Sequence, residues 1–334
     1  MWNAHETLKG ETEIMNASDI KKVACVGSGT IGSSFAAYFA LKGYPVNVYD
    51  VSDAALENGR KGVQAVLDSL REENVVTDAQ AREILGRITY TTDPAEAFGD
   101  VQFIQENGPE NLEIKQSIVA TLDQYAPDDC VIASSTTGMR ISDITANSPK
   151  AGRCVGAHPW NPPHLIPLVE ISKGERTDPQ AVQTAVDFYR AVDKEPIVMK
   201  KEKLGFVANR LAHALWREEV AIVSEGVCTL EECDTALLFG PGLRNAIFGP
   251  GMIYELGSAA GLRGTVEKFA QTSEAIFADL SNASRYPDGF GEMVDGQIKD
   301  EVARLPGFKG KTHEEQARWR DHMLVELLKL HHKL

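Results

Sequence analysis

From residue 22 onward the chain alternates short apolar runs with longer stretches in which apolar residues recur every three or four positions. Val23-Ala24-Cys25-Val26 is an apolar run entered from Lys21 and Lys22, and a glycine-rich turn follows it. Ile31, Phe35, Tyr38 and Phe39 then share roughly one face of a predicted helix that Gly43 stops. Past Asp50 the spacing of Leu56, Val63, Val66, Leu67 and Leu70 predicts a second helix, and residues 78–85 a third, so that a helical pair interrupts the strands. Strands are expected again at 88–90, 101–105, 131–134, 154–157, 168–171 and 196–199, with helices over 112–122 and 179–191 between them. Such alternation is the pattern of a mostly parallel sheet. Beyond about residue 200 every periodic stretch is helical, over 206–223, 265–277 and 313–330. The expected organisation is a loose extension over 1–18, a sheet domain over 19–202 and a helical domain over 203–334.

The turn after the first strand changes this from a fold prediction into a chemical one. Residues 27–32 read Gly-Ser-Gly-Thr-Ile-Gly, and Asp50 closes the second strand. Gly27 permits a tight exit from the strand, Gly29 has no side chain to hold a pyrophosphate off the backbone, and Gly32 lets the helix lie close. Thr30 and Ile31 open the helix, whose free N–H groups and dipole favour a diphosphate. A carboxylate at Asp50 accepts both hydroxyls of an adenosine ribose and repels a 2′-phosphate, which favours NAD over NADP. The fold class is therefore α/β: an N-terminal Rossmann-type, doubly wound, mostly parallel sheet with an inserted helical pair, then an all-α C-terminal domain.

Composition narrows the partners. With 334 residues, two domains are expected, each large enough for a core. A net charge of -14 argues against nucleic acid or an anionic membrane surface, since either demands a basic face. The five cysteines, Cys25, Cys130, Cys154, Cys228 and Cys233, lack CxxC spacing, as expected of reduced thiols in the cytoplasm. Neither the cysteines nor the eight histidines fall at metal-ligand spacing, so no metal is expected. The first twenty residues lack the apolar core of a signal peptide or membrane span.

The second dense motif is residues 158–170, His-Pro-Trp-Asn-Pro-Pro-His-Leu-Ile-Pro-Leu-Val-Glu. A histidine leaves a strand, prolines stiffen the loop, and a lone carboxylate lies inside an apolar run, where it is costly without a partner. His158 is the natural partner: Glu170 accepting from one ring nitrogen leaves the other free to take or give a proton.

Together the glycine turn, Ser134-Ser135-Thr136, the proline loop, Glu170 and the Gly-Phe-Val-Ala-Asn-Arg-Leu stretch at 205–211 resemble the L-3-hydroxyacyl-CoA dehydrogenase superfamily over nearly the whole chain. Residues 104–113, 240–250 and 318–321 are more similar to its lambda-crystallin branch, which includes L-gulonate 3-dehydrogenase and, more distantly, L-carnitine dehydrogenase. The resemblance implies His158 as general base, Glu170 as its orienting partner, and Asn209 bonded to the reacting oxygen or to the histidine. It implies a hydroxyl at position 137, usually Ser and here Thr137, whose methyl alters the space beside the substrate. Glu110 and Lys115 would lie at the nicotinamide side, or form a charge pair at a helix start.

Three classes of function follow, the first being NAD-dependent oxidation of a small free L-3-hydroxy acid to the 3-oxo acid, as in L-gulonate 3-dehydrogenase, with L-carnitine or a 3-hydroxyacyl-CoA as the alternative substrate. A small free 3-hydroxy acid needs a cation for its carboxylate, for which Arg244 is the candidate; the same Arg would also suit a helix cap or a dimer interface. Asn161 and Trp160, in the proline loop, join it as substrate-side candidates, and Trp160 or Trp216 could face the quaternary ammonium of carnitine or serve as ordinary loop and core aromatics. An acyl-CoA would need a basic face on the helical pair, where Arg60, Lys61 and Arg71 are balanced by Glu57, Asp68, Glu72 and Glu73. A non-catalytic, crystallin-like protein is the third class, opposed by the retained His158 and Glu170. A homodimer through the helical domain is expected, because such a domain commonly buries its apolar stripe against a second copy.

Overall fold

The computed structural model describes residues 14–201, 203–304 and 312–334. Residues 1–13 of the expected extension lie outside the described residues; of the remainder, Ile14 is buried in the core and Ala17–Asp19 forms one 3-10 turn. The chain separates into two compact units, residues 1–207 with 321–334, and residues 208–320.

In the first unit, eight strands form one sheet in the order β3-β2-β1-β4-β5-β6-β7-β8. These are β1 Val23–Val26, β2 Val46–Tyr49, β3 Ile88–Thr91, β4 Phe103–Glu106, β5 Val131–Ser134, β6 Cys154–Pro159, β7 Leu168–Lys173 and β8 Glu195–Val198. All neighbours run parallel except β6 and β7, which are antiparallel. The strand order reverses direction between β1 and β4, so the loops at their C-terminal ends splay apart and leave a crevice.

Helices α1 Thr30–Leu41, α2 Asp53–Glu72, α3 Asp78–Gly86, α4 Pro94–Phe98, α5 Leu112–Tyr125, α6 Ile141–Ile144 and α7 Pro179–Ala191 connect the strands. Strand alternation assigns the faces: Val23, Cys25 and Phe103 join one core with Phe35, Phe39 and Phe188, while Ala24, Val26 and Ile104 join the other with Phe98 and Leu122. With helices over both faces, β1, β4 and β5 are buried along their whole length; β1 reads as a continuous apolar run, while β4 and β5 begin apolar and end in Gln105-Glu106 and Ser134. For the same reason α1 is buried from Gly32 to Ala40, all round rather than on one stripe. The inserted pair α2 and α3 is well signalled locally. Ser52 caps α2 through Ala55 N, and Thr77 with Gln80 forms a capping box on α3.

The second unit holds α8 Ala208–Ser224, α9 Leu230–Leu237, a wide-turn segment Leu238–Gly242, α10 Leu243–Asn245, α11 Pro250–Glu255, α12 Gly261–Asp279 and α13 Phe290–Arg304. α8 begins at Ala208, two residues later than the periodicity suggests, because Gly205 and Phe206 adopt left-handed φ of 76° and 50° and cannot be helical. Its core is small, Val220, Val223, Leu230 and Phe290 with Trp216, Cys233 and Val294 against them. The last helix, α14 His313–Leu330, contributes Val325 and Leu328 to the first unit's core. No helix among the described residues is long and apolar enough to cross a membrane.

Candidate active site

The three glycines of the turn have distinct physical duties. Gly27 has φ 84°, and a Cβ there would lie 2.8 Å from the Asn107 carbonyl oxygen. A Cβ on Gly32 would lie 1.8 Å from the Gly27 carbonyl oxygen, so Gly32 lets α1 close on the turn itself rather than on the strand. Gly29 has nothing within 4 Å of its would-be Cβ. That open space is what a pyrophosphate needs to reach the N–H groups opening α1 at Thr30 and Ile31. Asp50 is held ready: its Oδ2 accepts from Ser28 N at 2.8 Å and Ser28 Oγ at 2.7 Å, and its Oδ1 from Val51 N at 2.8 Å. A cavity of ≈ 790 Å³ runs from Gly27 and Gly29 past Asp50 and Val51 to Asn107 and Ile118, room for an adenosine beside a carboxylate. The residues therefore fit NAD.

Two further glycines, which the motif does not include, serve the same turn from α2. Cβ atoms on Gly59 and Gly62 would lie 2.6 Å from Ser28 Cβ and 2.7 Å from Ser33 Oγ. Their spacing of three along a helix was the available signal, since glycine is disfavoured there without a packing reason.

At the other side of the crevice, parallel pairing aligns Glu106 with Ser134 and Ser134 with Gly156. Glu110, Thr137 and His158 follow those positions by a few residues, so they leave the C-terminal rim of neighbouring strands. Glu110 and Thr137 meet directly. One Glu110 oxygen accepts from Thr136 Oγ1 at 2.7 Å, Thr137 N at 3.0 Å, Gly138 N at 3.1 Å and Thr137 Oγ1 at 3.2 Å. Partial burial works to raise the Glu110 carboxyl, but the Thr136 hydroxyl, the Lys115 charge and the two amides outweigh it and hold it below the usual carboxylate range. Lys115 lies 3.8 Å from Glu110, yet is only 1% exposed, and its closer partner is Glu106 at 2.9 Å.

His158 and Glu170 are opposite one another in the antiparallel β6–β7 pair. His158 Nδ1 lies 3.1 Å from Glu170 Oε2, with the side chains 6% and 0% exposed. The other Glu170 oxygen accepts from Val207 N at 2.8 Å. Phe206, in its left-handed conformation, stacks obliquely on the His158 ring at 5.1 Å. A bulky residue at positive φ is strained, and such strain collects where function requires a fixed geometry. Phe206 and Val207 were not among the expected site residues; the Gly-Phe pair after the last strand was their one signal.

The proline loop is tied down at two points. Ser34 of α1 accepts from His164 N at 2.9 Å, and buried Lys194 donates to Ile166 O at 3.0 Å and to Pro163 O. Burial, with the nearby charge of Lys42, lowers the Lys194 pKa to about 7. Asn161 is exposed and precedes a cis Pro162, while half-buried Trp160 has no hydrogen-bond partner for Nε1 among the described residues.

The remaining candidates belong to the second unit. Asn209 is half-buried in the first turn of α8, and Arg244 is exposed on α10, after the backbone break at Gly240. Trp216 donates to Tyr286 Oη at 2.8 Å and packs edge-on against Phe290, as an ordinary core aromatic does.

Residues 22–203 match the 3-hydroxyacyl-CoA dehydrogenase, NAD binding domain, and residues 205–291 match the 3-hydroxyacyl-CoA dehydrogenase, C-terminal domain. The chain belongs to the 3-hydroxyacyl-CoA dehydrogenase family. It is an NAD-dependent dehydrogenase acting on a CH–OH group. Its sequence is 41% identical over 294 residues to an L-carnitine dehydrogenase of Streptomyces griseus, covering 85% of this chain and 87% of that one. It is 32% identical over 317 residues to the L-carnitine dehydrogenase of Bacillus cereus, covering 95% and 94%. Among solved structures, the 5-formyl-3-hydroxy-2-methylpyridine 4-carboxylic acid 5-dehydrogenase, an NAD-dependent dismutase, superposes with a TM-score of 0.76 at 31% identity, covering 93% of this chain and 97% of that one. The dehydrogenase family assignment agrees with both the fold class and the cofactor read from the glycine turn.

Proposed function

We propose that this dehydrogenase oxidises a small free L-3-hydroxy acid to the 3-oxo acid, with L-carnitine the first substrate to test and L-gulonate the second. The buried His158–Glu170 pair carries the reaction class: Nδ1 lies 3.1 Å from a carboxylate whose other oxygen is already taken by Val207 N. With Glu170 accepting from Nδ1, the proton stays on that nitrogen and Nε2 keeps its lone pair. Nε2 removes the substrate hydroxyl proton, and Glu170 offsets the charge of the imidazolium that forms. Bound NAD would supply the acceptor for the hydride that leaves the carbon bearing that hydroxyl. In this reading Thr137 and Asn209 hydrogen-bond the substrate around the reacting oxygen, and Arg244 receives its carboxylate.

Two observations support a free acid over a CoA ester. The cations of α2 are already engaged: Arg60 and Lys61 lie 3.9 and 4.0 Å from Glu57, and Arg71 pairs with Asp68 and Asp78, which leaves a poor face for a polyphosphate tail. The relatives at 41% and 32% identity carry the name of a free hydroxy acid's dehydrogenase. L-gulonate, the first expectation from the motifs, stands second on that ground. The test is NADH formation with L-carnitine, L-gulonate and a 3-hydroxyacyl-CoA. A preference for L-carnitine in kcat/KM on the order of tenfold or more is expected. Faster turnover of the CoA ester would reject the free-acid reading.

The second unit also supports a homodimer. Phe239, Ile247, Leu256 and Phe277 are 66–73% exposed, an unusual density of large apolar side chains for a small helical unit. The free, buried thiols of Cys25, Cys130 and Cys154 fit the reducing cytoplasm.

A further inference from the structure

Beneath the loops at the nicotinamide side lies a buried ion pair that joins Lys115, a cofactor-side candidate, to Glu106, to which the reaction assigns no task. Glu106 ends β4 and Lys115 sits in the first turn of α5, and both are 1% exposed. Lys115 Nζ donates to the two Glu106 oxygens at 3.0 and 2.9 Å and to Gly108 O at 3.2 Å. Glu106 also accepts from Gly108 N at 2.6 Å and from Ser134 Oγ. Ser134 Oγ in turn accepts from Thr136 N at 3.4 Å.

Stability does not account for this arrangement. A lysine in the first turn faces the positive end of the helix dipole. Burying both charges costs several kcal/mol per ion, and well-packed apolar residues in place of such a pair are commonly neutral or stabilising. What the pair does achieve is connectivity. One carboxylate grips the loop after β4 through Gly108 and the loop after β5 through Ser134. Its lysine stands 3.8 Å from Glu110, which gathers the Thr136, Thr137 and Gly138 donors. We infer that Glu106 is a positioning residue, which sets the spacing of these two loops and thereby of Glu110 and Thr137 against the cofactor and substrate. The inference rests on the proposed role of Thr137 beside the reacting oxygen.

The test is the double variant Glu106→Gln with Lys115→Met, which removes both charges and keeps one acceptor. Amide hydrogen exchange at Gly108, Thr136, Thr137 and Gly138 in the free protein should rise by about tenfold with thermal stability retained. NADH affinity should weaken, and kcat/KM should fall by about 10²-fold, the scale of a misplaced contact. Parental exchange and parental NADH affinity in a stable double variant would overturn the inference. Should that variant fail to fold, Ser134→Ala cuts only the arm to the β5 loop. Faster exchange confined to Thr136–Gly138 supports the role, and unchanged exchange overturns it. Exchange and NADH titration use no substrate, so a wrong substrate assignment shows only in turnover and leaves these readouts standing.

Discussion

At the scale of single residues, Glu170 gives the sharpest test of the proposed chemistry, because each of its oxygens has a different task. Oε2 faces the His158 ring and Oε1 holds the Val207 amide. Glu170→Gln keeps the shape but cannot offset the imidazolium, so turnover should fall by about 10²-fold or more while NADH affinity, measured by titration, is kept. An unchanged pH–rate profile in that variant would remove Glu170 from the mechanism. Asp50 is tested separately. Its carboxylate is prearranged by Ser28 and Val51, and Asp50→Ala should weaken NAD and bring the NAD and NADP preferences together. An unaltered ratio of kcat/KM for the two cofactors would refute the ribose role. These residues differed in legibility. Gly27, Gly29, Gly32 and Asp50 could be read because residues 22–50 form one contiguous unit with strictly local rules. Phe206 could not, since its strain has meaning only once Val207 N is seen at Glu170.

At the scale of elements, the packing of α8, α9 and α13 brings three carboxyls together. Burial pushes Glu219 of α8 up to about 7, with Asp234 of α9 and Glu301 of α13 adding to it. Glu301 is pushed up to about 6, again chiefly by burial, with Asp234 and Glu231 adding and Arg304 opposing. Both folded values lie above the ordinary 4.5, so the folded state holds more protons than the unfolded chain across that interval. Stability of the second unit is therefore greatest on the acid side and declines as pH rises from about 4.5 to about 7. Glu219→Gln should raise the melting temperature at about pH 8 and lose that advantage at about pH 5. Equal melting curves for variant and parent at both pH values would mean that the carboxyls are solvated. Element type was well predicted for the strands and the longer helices of the first unit, while the short α4 and α6 were missed. Element direction was not: 154–157 and 168–171 read as strands, but nothing local said they would pair antiparallel and so set His158 opposite Glu170.

At the scale of the whole molecule, the exposed apolar residues of the second unit make assembly a measurable matter. Light scattering should give twice the mass of the 334-residue chain, and Phe277→Ser with Ile247→Ser should shift it toward the single chain. A monomeric parent would reject the dimer. Arg244→Met should raise KM for a free acid far more than for a CoA ester, and equal changes would make Arg244 structural. The sequence by itself determined the architecture and the cofactor and pointed to His158 and Glu170 as the proposed acid–base pair, because apolar period, glycine placement and a carboxylate in an apolar strand are each constrained by neighbours close in the chain. Only the tertiary structure decided which strands lie side by side, which backbone amide reaches Glu170, and that Glu106 and Lys115 join two loops underground. Those are contacts between segments far apart in sequence, chosen by how the whole sheet and its helices pack, and no local pattern encodes them.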